Sequence, residues 1–160
     1  MAQTALKLQP GDPAPDFELL TDAGETFRLS DLEGKTVVLY FYPKADTPGC
    51  TKESCSFRDN MSRFRRRGVV IVGISPDKVA KQAKFKEKYG LPFTLLADED
   101  HKVAEAYGVW KLKKNYGREY MGIERTTFII GKDGKIARVF PKVKVDGHVD
   151  EVLAALEEVA

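Results

Sequence analysis

Two apolar runs constrain this chain more than anything else in it. Val37–Tyr42 (VVLYFY) and Val69–Ser75 (VVIVGIS) are almost uninterrupted in β-branched and aromatic residues, the pattern of strands buried on both faces of a parallel sheet. Parallel strands cannot be joined by a tight hairpin and need a crossover. The stretch between the runs supplies one. Pro43 stops the first run, and Cys50 to about Arg66 has helical composition, with Phe57, Met61 and Phe64 spaced to share a face and Gly68 ending the helix.

The remaining pattern extends this unit on both sides. Upstream, Pro10, Pro13 and Pro15 hold the entrance extended, and two short strands flank the turn Asp22-Ala23-Gly24. Downstream, KVAKQAKFKEKYG is a helix closed by Gly90, and DEDHKVAEAYG is a second, shorter one. Asp133-Gly134 lies between two strand-like runs, a strong hairpin signal, and HVDEVLAALEEVA closes as an amphipathic helix. A βαβ half followed by a ββα half around a central mixed β-sheet flanked by helices is the thioredoxin-like α/β plan, here with an N-terminal β-hairpin extension and an inserted helix.

Composition excludes several functions. A chain of 160 residues, 42% hydrophobic and 31% charged, is expected to form one domain, with residues 1–160 around a single core. Such a chain buries roughly 70% of the surface it exposes when unfolded. A formal net charge of +2 gives no field suited to nucleic acid or an anionic membrane. The N-terminal stretch lacks a basic region followed by an apolar one, and no apolar run approaches the ~20 residues that span a bilayer. A cytoplasmic protein is expected. In a reducing compartment two cysteines point to redox chemistry, metal binding or inert core thiols rather than to a structural disulfide.

Both cysteines lie in YPKADTPGCTKESC, Tyr42–Cys55. With Pro48 at the first helical position, Thr47 is the N-cap and Cys50 falls in the first turn. Unpaired N–H groups and the positive end of the helix dipole favour a thiolate there, which makes Cys50 a candidate nucleophile. That effect alone is small. A drop from about 8.5 to about 6 in pKa raises the thiolate fraction at neutral pH about thirtyfold, but a Brønsted slope of ~0.45 removes about thirteenfold of nucleophilicity. Large acceleration therefore needs donors that stabilise the leaving group. Thr47 is either such a donor or only a cap. Glu53 is either a surface charge compensating the dipole or an anchor for a cation. His101 and His148 read as surface residues, which disfavours a Cys/His pair. Cys55 is either a small buried hydrophobe or a partner for Cys50. In an intact helix the two would be separated by ~7.5 Å along the axis and about 140° around it, too divergent for a disulfide. A zinc site lacks the usual ligand spacing.

The segment YPKADTPGCTKESCSFRD resembles the active-site segment of the peroxiredoxins, in which Pro, three residues, Thr, two residues and Cys recur; Pro43, Thr47 and Cys50 match. The second cysteine five residues on, with GISPD, YGVW, RTTFII and HVDEVLAAL, resembles the bacterioferritin-comigratory or Q-type subfamily, over nearly the whole chain from about Leu8. The resemblance implies a thiol peroxidase for hydrogen peroxide and organic hydroperoxides. It implies Cys50 as the peroxidatic cysteine, which becomes a sulfenic acid, and Cys55 as the resolving one, which forms an intramolecular disulfide after the helix unwinds locally. It further implies Thr47 as the hydrogen-bonding partner of the peroxide, Pro43 as a shield, and Arg125 as the donor to thiolate and leaving group. Thioredoxin or a similar dithiol would recycle a monomer that uses no cofactor or metal.

Two other readings are a general thiol-disulfide oxidoreductase, which would usually carry C-x-x-C, and a redox-regulated holdase. Trp110, Tyr42 and Phe85 read as core or pocket wall. Arg63–Arg67 (RFRRR) reads as compensation of a helix dipole, and Lys111–Lys114 (KLKK) as a solvated loop.

Overall fold

The structure is a computed structural model and describes residues 8–159, so the readings of the first seven residues and of residue 160 lie outside the described part. The strands are β1 (Glu18–Thr21), β2 (Thr26–Arg28), β3 (Thr36–Phe41), β4 (Val69–Ser75), β5 (Thr94–Ala97), β6 (Trp110–Asn115), β7 (Arg118–Ile123), β8 (Thr126–Ile130) and β9 (Ile136–Phe140). The helices are α1 (Pro48–Asp59), α2 (Met61–Arg66), α3 (Val79–Tyr89), α4 (Lys102–Ala106) and α5 (His148–Glu158). Among the described residues the main sheet runs β2-β1-β5-β4-β3-β8-β9, and β6-β7 forms a separate hairpin.

β3 is the middle of this sheet in a physical sense. It pairs in parallel with β4 and antiparallel with β8, and all six of its residues are buried. Its side chains alternate between two cores. Val38 and Tyr40, continued by Tyr42 just beyond the strand, pack with Phe57 of α1, Phe64 of α2, Phe85 of α3 and Val152 of α5. Val37, Leu39 and Phe41 face Val103 and Tyr107 near α4, with Leu19, Phe27 and Trp110 packed at the edge. Each such fully buried side chain contributes about 1.5–3 kcal/mol relative to exposure. The glycine inside VVIVGIS has a packing cause: a Cβ on Gly73 would lie 2.8 Å from the Tyr40 ring and 3.0 Å from Leu95. Tyr40 therefore lies over Gly73 and reaches α1, where its hydroxyl meets Ser54 Oγ at 2.8 Å in a buried hydrogen bond.

The thioredoxin-like plan with its N-terminal hairpin and mixed sheet is present; two local readings are corrected and one strand is added. The helix read from Cys50 to Arg66 is broken at Asn60, whose φ of −111° and ψ of 11° leave the helical region. Asn60 Nδ2 donates to the Ser56 carbonyl at 2.8 Å, the local competition by which asparagine ends helices. The KLKK stretch is not a loop but most of β6, turned into β7 at Tyr116 and Gly117, both at positive φ (51° and 76°), the two-residue turn whose twist matches a hairpin. β5 was not anticipated; its core residues Leu95 and Leu96 complete the sheet beside β4.

Candidate active site

The loop from β3 to α1 is held in place by neighbours on α3 and after β4. Ala45 N–H donates to Asp77 Oδ2 at 2.7 Å. Asp46 adopts a left-handed φ of 62°, and its carboxylate accepts from the Tyr89 hydroxyl at 2.7 Å and from Lys88 Nζ at 2.9 Å. These contacts, the Tyr89 hydrogen bond first, hold its carboxyl below the usual range. Pro43 is half-buried at the start of this loop.

Thr47 is the N-cap of α1 and Pro48 opens the helix, with Thr51 N–H donating to the Thr47 carbonyl at 2.8 Å. The Thr47 side chain does not cap. Its hydroxyl donates to the Lys44 carbonyl at 2.7 Å, and α1 has no side-chain cap. The first N–H groups of a helix lack intrahelical acceptors, so this end keeps its donors and positive dipole directed at the space around Cys50. The Thr47 oxygen, its proton engaged, presents lone pairs.

Cys50 is fully buried in this first turn. Arg125, between β7 and β8, donates from Nη2 to Cys50 Sγ at 3.3 Å and from Nη1 to Glu53 Oε1 at 2.7 Å. The fork shape of a guanidinium allows both contacts at once. Gly49 makes room for it: a Cβ there would stand 3.1 Å from Nη2. Burial disfavours the charge on Arg125, yet Glu53 and Cys50 outweigh that and hold its pKa raised. Glu53 is 1% exposed, which decides between its two readings in favour of the anchor for a cation. Burial pushes its carboxyl up to about 7, against the pull of Arg125, and its Oε2 has no hydrogen-bond partner among the described residues.

The structure thus brings Cys50, Arg125 and Glu53 into contact and puts Thr47 at the mouth of the same turn. It does not bring Cys55 to Cys50. Cys55 is half-buried, both thiols are free, and α1 runs unbroken between them, so the separation is the ~7.5 Å and about 140° of an intact helix.

His148 corrects the sequence reading. It is 1% exposed, its Nε2 lies 2.8 Å from Thr127 Oγ1, and its ring stands edge-on to Phe57 and Phe140. Burial lowers its pKa, which favours the neutral ring. The available signal was position: His148, Val152 and Leu156 share the i, i+4, i+8 stripe that α5 turns to the core. His101, partly exposed, stacks on Trp110 with ring centroids 3.9 Å apart. Arg63, Arg66 and Arg67 of RFRRR line a cavity of about 450 Å³ between α2 and α5. There Arg67 pairs with Glu157 at 3.1 Å and Arg63 lies 4.0 Å from Asp150. No described helix is long and apolar enough to cross a membrane. Among the described residues, no group of three or more His, Cys, Asp or Glu could hold a metal ion.

A cysteine in the first turn of the helix after the central strand of a thioredoxin-like sheet, faced by an arginine from the adjoining strand end, marks the class of thioredoxin-fold thiol enzymes. Comparison with known proteins narrows the class. Residues 10–139 match the model of the AhpC/TSA family. The chain is 55% identical to peroxiredoxin Bcp of Bacillus subtilis over 97% of its own length and 99% of the relative's. It is 50% identical to peroxiredoxin Bcp of Escherichia coli K12, over 94% and 97%. A solved structure of the Xanthomonas campestris bacterioferritin comigratory protein, described for its alkyl peroxide reduction activity, superposes with a TM-score of 0.87 at 37% identity, covering 96% of this chain and 98% of that one. The chain belongs to the AhpC/TSA family, among its Bcp or Q-type peroxiredoxins, and is a thiol-dependent peroxidase.

Proposed function

We propose that the chain reduces hydrogen peroxide and organic hydroperoxides with Cys50 as the attacking thiolate. The observation that carries this reading is the Arg125 fork, with one arm on Cys50 Sγ at 3.3 Å and the other on buried Glu53 at 2.7 Å. A guanidinium held there favours the thiolate before reaction and the developing negative oxygen during it. The Cys50 sulfur forms a bond to one peroxide oxygen, the O–O bond breaks, and the departing oxygen takes a proton to leave as water or an alcohol. Cys50 becomes a sulfenic acid, oxidised by the electron pair that the peroxide gains. Thr47, as acceptor, aligns the peroxide proton, and Pro43 keeps water from the pocket.

Cys55 then attacks the sulfenic sulfur, an S–S bond forms and water leaves. Because α1 holds the two sulfurs apart, this step requires its first turns to unwind. A protein dithiol of the thioredoxin type returns both cysteines to thiols and is itself oxidised to a disulfide. The same reading has one peroxidase domain over residues 1–160 acting as a cytoplasmic monomer.

The test is a stopped-flow peroxide assay with thioredoxin, thioredoxin reductase and NADPH on wild type, Cys50→Ser and Cys55→Ser. The expected result is turnover by wild type, none by Cys50→Ser, and a single oxidation without recycling by Cys55→Ser. Full activity in Cys50→Ser overturns the assignment. One oxidation of wild type without turnover overturns the thioredoxin-type recycling and brings forward a redox-switched binding protein.

A further inference from the structure

Arg125 meets two acidic groups with one charge. One arm of its fork lies 3.3 Å from Cys50 Sγ and the other 2.7 Å from Glu53 Oε1, and both acidic residues are buried, at 0% and 1% exposure. If both were ionised, a net negative charge would be shut away from water, which is costly. The arrangement therefore favours one negative charge on the pair at a time, with the two groups titrating as a unit.

The helix decides which group holds that charge. Cys50 lies in the first turn of α1, ahead of the first paired N–H at Thr51, among donors that lack intrahelical acceptors. Glu53 lies a turn farther on, where the N–H groups are already spent on the helix. Its carboxyl has Arg125 as its one donor, and its buried Oε2 has no hydrogen-bond partner among the described residues. A negative charge at Oε2 would be bare. A proton there costs less and leaves Oε1 free to accept from Arg125 Nη1. Burial agrees with this, raising the carboxyl to about 7 against the pull of Arg125, and a thiolate at the other arm of the fork raises it further. The neighbouring titratable groups leave the balance to this pair. Tyr40 and Tyr42, on and just beyond β3, and His148 of α5 are held neutral by burial. Glu124, next to Arg125 in the chain, is paired with Lys111 at 3.2 Å, and Lys113 of β6 adds a partly buried cation.

We propose that Glu53 is the charge partner of Cys50: it keeps a proton while Cys50 is a thiolate and gives the proton up when the sulfur becomes neutral, so that Arg125 answers one negative charge before and after the first reaction step. The inference rests on Cys50 being the reactive thiol. In that step the thiolate bonds to a peroxide oxygen and the O–O bond breaks. The departing oxygen gains one proton and Glu53 loses one, so the negative charge passes from sulfur to carboxylate and no net proton is drawn from solvent. Glu53 acts here through Arg125, as a positioning residue for charge, and its ionised carboxylate then holds the guanidinium while the first turn of α1 opens.

The experiment uses the reduced full chain in a Cys55→Ser background, so that Cys50 alone reacts, with and without Glu53→Gln, which keeps an acceptor for Arg125 Nη1. Cys50 is capped with methyl methanethiosulfonate, which turns the thiolate into a neutral methyl disulfide and expels methanesulfinate without consuming a proton. At about pH 8 a pH indicator should record the release of between about half a proton and one proton per Cys50 capped when Glu53 is present, and none in Glu53→Gln. A Glu53 that serves only as an ionised anchor would release none in either protein. With hydrogen peroxide as the reagent, the chain with Glu53 should take up close to no protons per sulfenic acid formed, and Glu53→Gln about one. An infrared difference spectrum of the chain with Glu53 needs no variant: capping should remove the carbonyl band of a buried carboxylic acid. Equal proton release on capping in the two proteins, whether none or one, or a carbonyl band unchanged by capping, overturns the proposal. The capping arm needs no peroxide, so a chain that releases the proton on capping but is not oxidised by peroxide refutes the peroxidase mechanism and leaves the Glu53 assignment standing.

Discussion

In the first two turns of α1 the groups are a buried thiol, a buried carboxyl and the partly buried guanidinium that joins them, at a helix end without a side-chain cap. In its last turn they are the Phe57 ring, stacked 4.8 Å from Tyr40 and edge-on to His148, with Arg58 Nη1 donating to the Tyr89 carbonyl at 2.7 Å and Asn60 tied back to Ser56. The front is held by charge-assisted contacts whose strength depends on protonation and oxidation state. The back is held by apolar burial, which depends on neither. A sulfenic acid at Cys50 is neutral and would withdraw one of the anionic partners of Arg125. On the proposed mechanism, chemistry at the front loosens the front while the back keeps its grip.

The largest test removes the grip. Phe57→Ala should cost about 3–5 kcal/mol of stability, measured by urea denaturation, while the fraction that stays folded still undergoes the first oxidation. A loss below about 1 kcal/mol would erase the contrast between the two ends. Next, Arg125→Lys keeps a charge but loses the fork, and should lower kcat/KM for peroxide by about 10²–10³ with a near-normal melting temperature. An unimpaired rate would remove the front's chemical distinction.

Glu53→Gln sharpens the comparison through pH. Its carboxyl rises from 4.5 to about 7 on folding, so the folded chain holds this proton more tightly than the unfolded one. Wild-type stability should therefore fall as pH rises through that window and level off above it. The glutamine variant, neutral throughout, should lack that slope and gain on wild type between pH about 5 and about 8, read from urea midpoints across the range. A parallel profile for the two proteins would mean Glu53 titrates normally.

The smallest effect comes from Gly49→Ala. A helical alanine adds up to about 1 kcal/mol of stability over glycine, but its Cβ would press on Arg125 Nη2 at 3.1 Å. Stability equal to or above wild type with a severalfold slower peroxide reaction is expected from parallel melting and stopped-flow measurements. A faster reaction would show that the guanidinium is not optimally placed.

Much of this was legible in the sequence, because β3, β4 and the first turn of α1 depend on neighbours close in the chain. Apolar runs mark buried strands, and Thr47-Pro48 marks a helix start wherever it occurs. The rest depended on partners far along the chain. Glu53 reads equally as a surface charge or as an anchor for a cation until Arg125, seventy-two residues on, is brought against it. His148 reads as polar until Thr127 and Phe57 enclose it. The β6-β7 hairpin was obscured because its lysines alternate with Trp110 and Leu112, a period-two pattern masked by charge.

The break at Asn60 has a mechanical consequence. Helices fray residue by residue from their ends, and one uninterrupted rod from Pro48 to Arg66 would let the fraying run on beneath Phe64 and into the core. The interruption works as a perforation, where a tear stops because the next stretch must be torn separately. On the proposed mechanism, the chain released in a catalytic cycle would thereby be metered, from Pro48 to no farther than Asn60.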